Sequence, residues 1–325
     1  MKKYLYIALA AAAFTSCSQD ESLDVLKEAI AFGDAFVENS TRAADPSYNN
    51  DTKKIEAFKV WGNVKANNGS TYVPVFAGAN VTDDGDNNTT IAYGQAWKCD
   101  VTQYWIYGAP YNFAAVVNGT VDNELNNGLP KTISYTADGT TDLLYAEQLN
   151  VTRTADQTDN QKIVAFTFNH LLSKVMFTAK NTTGDTKYTY NIKNLTITNS
   201  LASGSYTVTT KNWADKSTGT NSGTSFGAID AVSEAATGKT CESEKLLIPA
   251  DYTSTKLNIS FTLEWCYNSE VITSTSQALE ASVNLEAGKA YNFTISAGLN
   301  KPIEFTVHTL TGWSDANPQP DELEF

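Results

Sequence analysis

Short runs of alternating apolar and polar residues constrain this chain more than any other feature. Leu257-Asn258-Ile259-Ser260-Phe261-Thr262-Leu263 places four apolar side chains on one face and polar ones on the other. Val164-Ala165-Phe166-Thr167-Phe168 and Lys174-Val175-Met176-Phe177-Thr178 follow the same rule, as do Phe58-Lys59-Val60-Trp61, Tyr291-Asn292-Phe293-Thr294-Ile295 and Ile303-Glu304-Phe305-Thr306-Val307. Period two buries one face of a strand and wets the other, as antiparallel sandwiches require. Asn118-Gly119, Asn127-Gly128 and Asp138-Gly139 break the runs with residues that tolerate positive φ in tight turns. Helical periodicity is nearly absent. Short turns of helix are expected at Leu23 to Ala29 and Asp230 to Ala236, and the Ser-, Thr- and Gly-rich tract from Lys211 to Gly238 reads as a loop. The fold class is therefore all-β.

With 325 residues the chain has room for about two domains. It is 42% hydrophobic and 11% aromatic, enough to fill cores. A net charge of -13 opposes binding to nucleic acid, and none is expected as a partner. The tract Asn181-Thr182-Thr183-Gly184-Asp185 marks a boundary between two β-sandwich domains, residues 43–184 and 185–325.

The N-terminus carries an address. Met1-Lys2-Lys3 is a positive head, Tyr4 to Phe14 an apolar stretch too short to span a bilayer, and Thr15-Ser16 a small-residue cleavage region. Residues 1–16 thus read as a signal peptide. Cys17 follows at the cleavage point and resembles the lipobox cysteine of bacterial lipoproteins, although Phe14 stands where leucine is usual. Asp20-Glu21 resembles the acidic tag of surface lipoproteins of Bacteroidota. No other run reaches transmembrane length, so membrane attachment is expected through the lipid.

Residues 17–42 read either as a flexible tether between lipid and domain or as a lipidated pro-segment. Within it Ile30 and Phe32 share one face of a strand, and Thr41-Arg42-Ala43 offers an exposed arginine to a trypsin-like protease.

Chemistry is poorly represented. There is no GxSxG, HExxH or P-loop, and no enzyme is expected. His170 reads as a structural residue between strand segments. With Cys17 committed to the lipid, an odd number remains, and Cys99, Cys241 and Cys266 are expected as buried free thiols, a Cys241–Cys266 bridge being the alternative. No CxxC occurs and His170 and His308 are far apart, so no zinc site is expected. Asp83-Asp84-Gly85-Asp86-Asn87-Asn88 lacks the spacing of a calcium loop and reads as an acidic turn. Neither metal nor cofactor is called for.

Taken in order, the segments resemble the fimbrillin family, the type V pilins of Bacteroidota. The resemblance is carried by Ile30-Ala31-Phe32 with Thr41-Arg42-Ala43, by Phe58-Lys59-Val60, and by the aromatic block Trp97 to Tyr107 leading to Tyr111-Asn112-Phe113-Ala114-Ala115. Asp142-Leu143-Leu144-Tyr145-Ala146, Phe168-Asn169-His170-Leu171-Leu172-Ser173-Lys174-Val175, Leu246-Leu247-Ile248-Pro249 and the stretch from Leu285 to Asp315 continue it.

The resemblance implies two transthyretin-like β-sandwiches and a subunit of a surface fimbria supporting adhesion. It implies export through the periplasm to the outer membrane as a lipoprotein and cutting after Arg42 by an arginine-specific protease. The strand holding Ile30 and Phe32 is then lost, and a strand from a neighbouring pilin subunit replaces it. The C-terminal segment departs from the family pattern. Pro318 and Pro320 cannot donate to a ladder, so Leu323 and Phe325, at alternating spacing, are the candidate donor anchors. The alternative is an uncleaved surface lipoprotein whose sandwiches bind a host glycan or protein, with the aromatics from Trp97 to Tyr111 as the first suspects for sugar stacking.

Overall fold

The computed structural model describes residues 28–37, 48–49, 54–55, 57–65, 71–82, 97–122, 125–217, 223–233, 236–310 and 313. Among them the chain is nearly all strand, with one helical turn, Asp159–Lys162. That turn is closed by the Gln161 amide on the Thr158 carbonyl at 2.9 Å and by Gln161 Oε1 accepting from the Thr158 amide at 3.0 Å. It is too short to show a periodicity.

A nine-stranded sheet dominates the first part. Its spatial order is Tyr48–Asn49, Lys54–Ile55, Phe32–Val37, Val164–His170, Leu144–Val151, Tyr111–Val117, Ala57–Lys65, Tyr72–Thr82 and Lys98–Cys99. The sheet rolls until Trp97, beside its far edge, forms a bridge with Phe32. Inside lies a core rich in aromatic rings, including Phe32, Phe58, Phe76, Phe113, Phe166 and Phe168.

The last part is a sandwich. One sheet pairs Ser173–Asn181 with Ala290–Ala297, which pairs with Glu304–Leu310. The facing sheet runs Thr224–Val232, Tyr188–Ile197, Leu257–Tyr267, Glu270–Ala281. Phe177, Tyr190, Phe226, Ile259, Phe261 and Phe293 fill the space between. A further sheet, Asn212–Ser217, Ser203–Thr207, Thr132–Thr136 and Thr120–Val121, covers a junction core around Trp61, Tyr135, Tyr206, Trp213, Leu172 and Trp313.

Several expectations are revised. Two pairings are parallel, Phe32–Val37 with Val164–His170 and Ser173–Asn181 with Ala290–Ala297. A parallel pair needs a long crossover, which local alternation does not encode. Ser173–Asn181 is buried almost throughout, because Trp313 and Glu244 cover Lys174 while Thr240 and Asn292 meet Thr178. The tract from Lys211 to Gly238 contains two strands, Asn212–Ser217 and Thr224–Val232, and Asp230 lies in the second of them instead of opening a helix. Strand pairing also crosses residue 184 in both directions. Ser173–Asn181 joins Ala290–Ala297 beyond it, and Ser203–Thr207 joins Thr132–Thr136 before it.

The turn dipeptides act in three ways. Asn127 (φ 52°) and Gly128 (φ 89°) both adopt left-handed backbone in the hairpin between Leu125–Asn126 and Leu129–Pro130. At Asp138-Gly139 the carboxylate accepts the amides of Thr140 and Thr141, each at 2.7 Å, and Gly139 takes φ 79°. At Asn118-Gly119 the positive φ falls on Asn118 (62°), and Gly119 is required for space: a Cβ there would lie 2.4 Å from Ile133.

Candidate functional site

The first strand is seated from both sides. Its Ile30 and Phe32 are 4% and 0% exposed. On one flank the Val164 amide donates to the Ala31 carbonyl at 2.9 Å, and the strand continues parallel to Val164–His170 with Phe32 opposite Val164. On the other flank Ile30 donates to Gln103 at 2.7 Å, Trp97 donates to Phe32 at 2.7 Å, and Trp105 donates to Glu28 at 3.0 Å. Further along, Phe36 pairs with Lys54. Strand alternation brings Phe32 into the core, where its ring meets Phe76 at 5.2 Å, Phe113 at 5.7 Å and Phe166 at 6.0 Å between centroids.

The segment that flanks this strand is itself held. Tyr111 Oη accepts the Ile106 amide at 2.8 Å and donates to the Tyr104 carbonyl at 3.3 Å. The Trp105 ring packs on Tyr111 at 4.9 Å, with the Arg153 guanidinium 5.5 Å from its centroid. Aromatic residues from Trp97 to Tyr111 thus build the wall of the seat. Trp97, Trp105 and Tyr111 are 4%, 6% and 0% exposed, leaving Tyr104 as the open ring.

One polar group marks the mouth of the seat. Glu28 has the same strand parity as Ile30 and Phe32, two residues before the first apolar anchor. Its Oε2 pairs with Lys162 Nζ and accepts from Tyr107 Oη at 2.7 Å. The Lys162 side chain is 9% exposed and stands 5.8 Å from the Tyr107 ring centroid. Desolvation would raise the Glu28 carboxyl, but hydrogen bonds from Lys162 and Tyr107 outweigh it and hold the group below the ordinary carboxylate range. Sequence reading missed this trio. Only the parity of Glu28 hinted at it, and nothing local singles out Lys162 or Tyr107.

A second polar cluster lies at the junction core. Asp142 Oδ2 pairs with His170 Nδ1, and the imidazole stacks on Trp313 with centroids 3.7 Å apart. Lys174, almost fully buried, donates to the Trp313 carbonyl at 3.1 Å and pairs with Glu244 at 2.9 Å. Three segments recognised separately in the sequence, those holding Asp142, His170 with Lys174, and Trp313, meet here. His170 Nε2 is buried with no hydrogen-bond partner among the described residues, so none of their hydroxyls or thiols engages it as a nucleophile. His170 belongs to the packing.

The remaining candidates are quickly placed. Cys17, Arg42, Ala43, Leu323 and Phe325 lie outside the described residues, as does the acidic tract Asp83 to Asn88. Cys99, Cys241 and Cys266 are free thiols, the last two buried. Among the described residues no group of His, Cys, Asp or Glu could hold a metal, and no helix is long and apolar enough to cross a membrane. A shallow polar cleft of about 500 Å³ includes Ser134, Asp138 and Ser205, but the Asp138 carboxylate is already occupied by its own turn.

The described residues thus build strand sheets closed by one early strand, with Ile30 and Phe32 as its buried anchors. A model of the fimbrillin-like family matches residues 41–313, and the chain belongs to that family. Family membership makes it a non-enzymatic fimbrial structural protein that associates with other pilin subunits. A fimbrial protein from Bacteroides vulgatus ATCC 8482 is similar in fold, with TM-score 0.66 and 14% identity over 88% of this chain and 99% of that one. A protein assigned to cell adhesion from Bacteroides ovatus ATCC 8483 is similar at TM-score 0.51 and 20% identity, over 88% and 97%. Comparison with curated protein sequences gave no match.

Proposed function

We propose that this chain is a fimbrial subunit exported as a lipoprotein on Cys17, cut after Arg42 and polymerised by strand replacement. The observation that carries the reading is the seat of Ile30 and Phe32, 4% and 0% exposed and flanked by backbone partners on both sides. Loss of residues 1–42 would bare the amide edge of Val164–His170, the carbonyl of Gln103, and a slot where two apolar side chains stood. Unpaired backbone and empty apolar space are costly, and one incoming strand relieves both. Each buried Ile or Phe contributes about 1.5–3 kcal/mol, which favours slow release. The contact is head-to-tail and propagates as a filament, while the uncut form carries its own plug.

The test is limited cutting by trypsin, N-terminal sequencing, and an unboiled gel. A product beginning at Ala43 that forms ladders is expected. Persistent monomers after complete cutting and removal of residues 1–42 would overturn the reading. The alternative, an uncleaved glycan-binding lipoprotein, is disfavoured because Trp97, Trp105 and Tyr111 are buried in the wall of the seat.

A further inference from the structure

We propose that Lys162 and Tyr107 form an acid-reading site that selects the replacement strand, and that Asp321, Leu323 and Phe325 of a second copy of this chain present the matching face. The inference rests on the strand-replacement reading above and specifies its register.

The seat holds three side chains at period two: Glu28 on Lys162 and Tyr107, Ile30 in the core wall, and Phe32 at the centre of the aromatic cluster. Successive side chains on one strand face lie about 6.6 Å apart, so the three positions form a fixed ruler. A replacement that fills only the apolar positions would take the carboxylate away from a lysine whose side chain is 9% exposed. Removing the carboxylate from such a pair is costly, so the slot discriminates for an acid at the first position.

The pattern demanded is acid, any residue, aliphatic, any residue, phenylalanine. With Leu, Ile or Val as the aliphatic residue it occurs at two places in the sequence. One is Glu28-Ala29-Ile30-Ala31-Phe32. The other is Asp321-Glu322-Leu323-Glu324-Phe325. The intervening residues also suit the seat: Ala29 is exposed and Ala31 half-buried, so Glu322 and Glu324 would point away from the core. Pro318 and Pro320 lie before the pattern, where the absence of an amide donor leaves the paired residues intact. Keeping the same order sets the new strand parallel to Val164–His170, as the first strand is.

The experiment uses the full chain cut after Arg42 and freed of residues 1–42 in mild denaturant, with a fluorescein-labelled peptide of residues 314–325 read by anisotropy. The peptide is expected to bind the cut chain, to ignore the uncut chain, and to stop ladder growth on unboiled gels. Hydrogen bonds to charged groups predict binding at least about tenfold weaker for the Asp321→Asn peptide. Glu322→Gln and Glu324→Gln peptides should stay within about twofold, since their side chains face outward. An Asp321→Lys peptide should bind a Lys162→Glu chain better than it binds the natural one, a reversal that damage to folding would not produce. Equal binding by the natural and Asp321→Asn peptides would overturn the acid-reading site, and needs no variant of the folded chain. A cut chain that forms ladders yet ignores the peptide would overturn the assignment of the occupant while leaving strand replacement standing. Failure of both ladders and binding would remove the proposed function as well.

Discussion

Replacing Phe32 with alanine should unseat the first strand without disturbing the distant sandwich. Phe32 is fully buried, and its ring lies within 6.5 Å of the centroids of Phe58, Phe76, Phe113 and Phe166. Truncating a core phenylalanine to alanine costs about 3–5 kcal/mol, and the ring contacts place this site toward the upper end. At about 1.4 kcal/mol per tenfold, the local opening equilibrium should shift by roughly two to three and a half orders of magnitude. Amide hydrogen exchange reads that opening directly. The reporters are Trp97 and Val164, whose amides donate to the carbonyls of Phe32 and Ala31 at 2.7 and 2.9 Å. The control is Cys241, whose amide donates to Phe177 at 2.8 Å in the far sandwich. In Phe32→Ala, exchange at Trp97 and Val164 should rise by about a hundredfold or more while Cys241 stays unchanged. Unchanged exchange at the reporters, or an equal rise at all three, would refute the view of Phe32 as the local anchor.

Acid should loosen the same seat. Glu28 is held below the ordinary carboxylate range, so its contribution is fully present above about pH 4.3 and is lost as pH falls through its lowered folded value. Exchange at Trp97 should therefore accelerate below about pH 4 once corrected for intrinsic chemistry, and Glu28→Gln should flatten that dependence. Gly119→Ala should destabilise the junction core by about 1–3 kcal/mol in urea unfolding, because the new Cβ would lie 2.4 Å from Ile133 and 2.7 Å from Leu143. A neutral Gly119→Ala would mean that the hairpin shifts freely.

Most of the fold was legible because it is written in local alternation. Leu257–Tyr267 and Val164–His170 both alternate in burial along nearly their whole length. What escaped was decided at a distance. Asn212–Ser217 looks like loop sequence, yet Trp213 packs between Tyr135 and Tyr206 and donates to the Leu171 carbonyl at 2.9 Å, which fixes the strand. Lys174 sits in a polar position of its strand, but Trp313, 139 residues away, provides a buried carbonyl for it. The apolar half of the seat was visible in Ile30 and Phe32. Its charged half was not, because Lys162 lies 134 residues from Glu28 and pairing at that range leaves no mark in the neighbouring sequence.

The two-sided seating of the first strand also has a mechanical meaning. Bonds to Val164 on one flank and to Gln103 and Trp97 on the other run across the strand axis. A pull along that axis loads both rows together in shear, whereas a pull across it would open one bond after another. Resistance to such a pull is set by the rate of forced extraction and not by the equilibrium occupancy of the slot. Under the strand replacement proposed above, a strand held in this way would make a joint suited to tension, the load that a surface filament bears when a cell is dragged from its attachment.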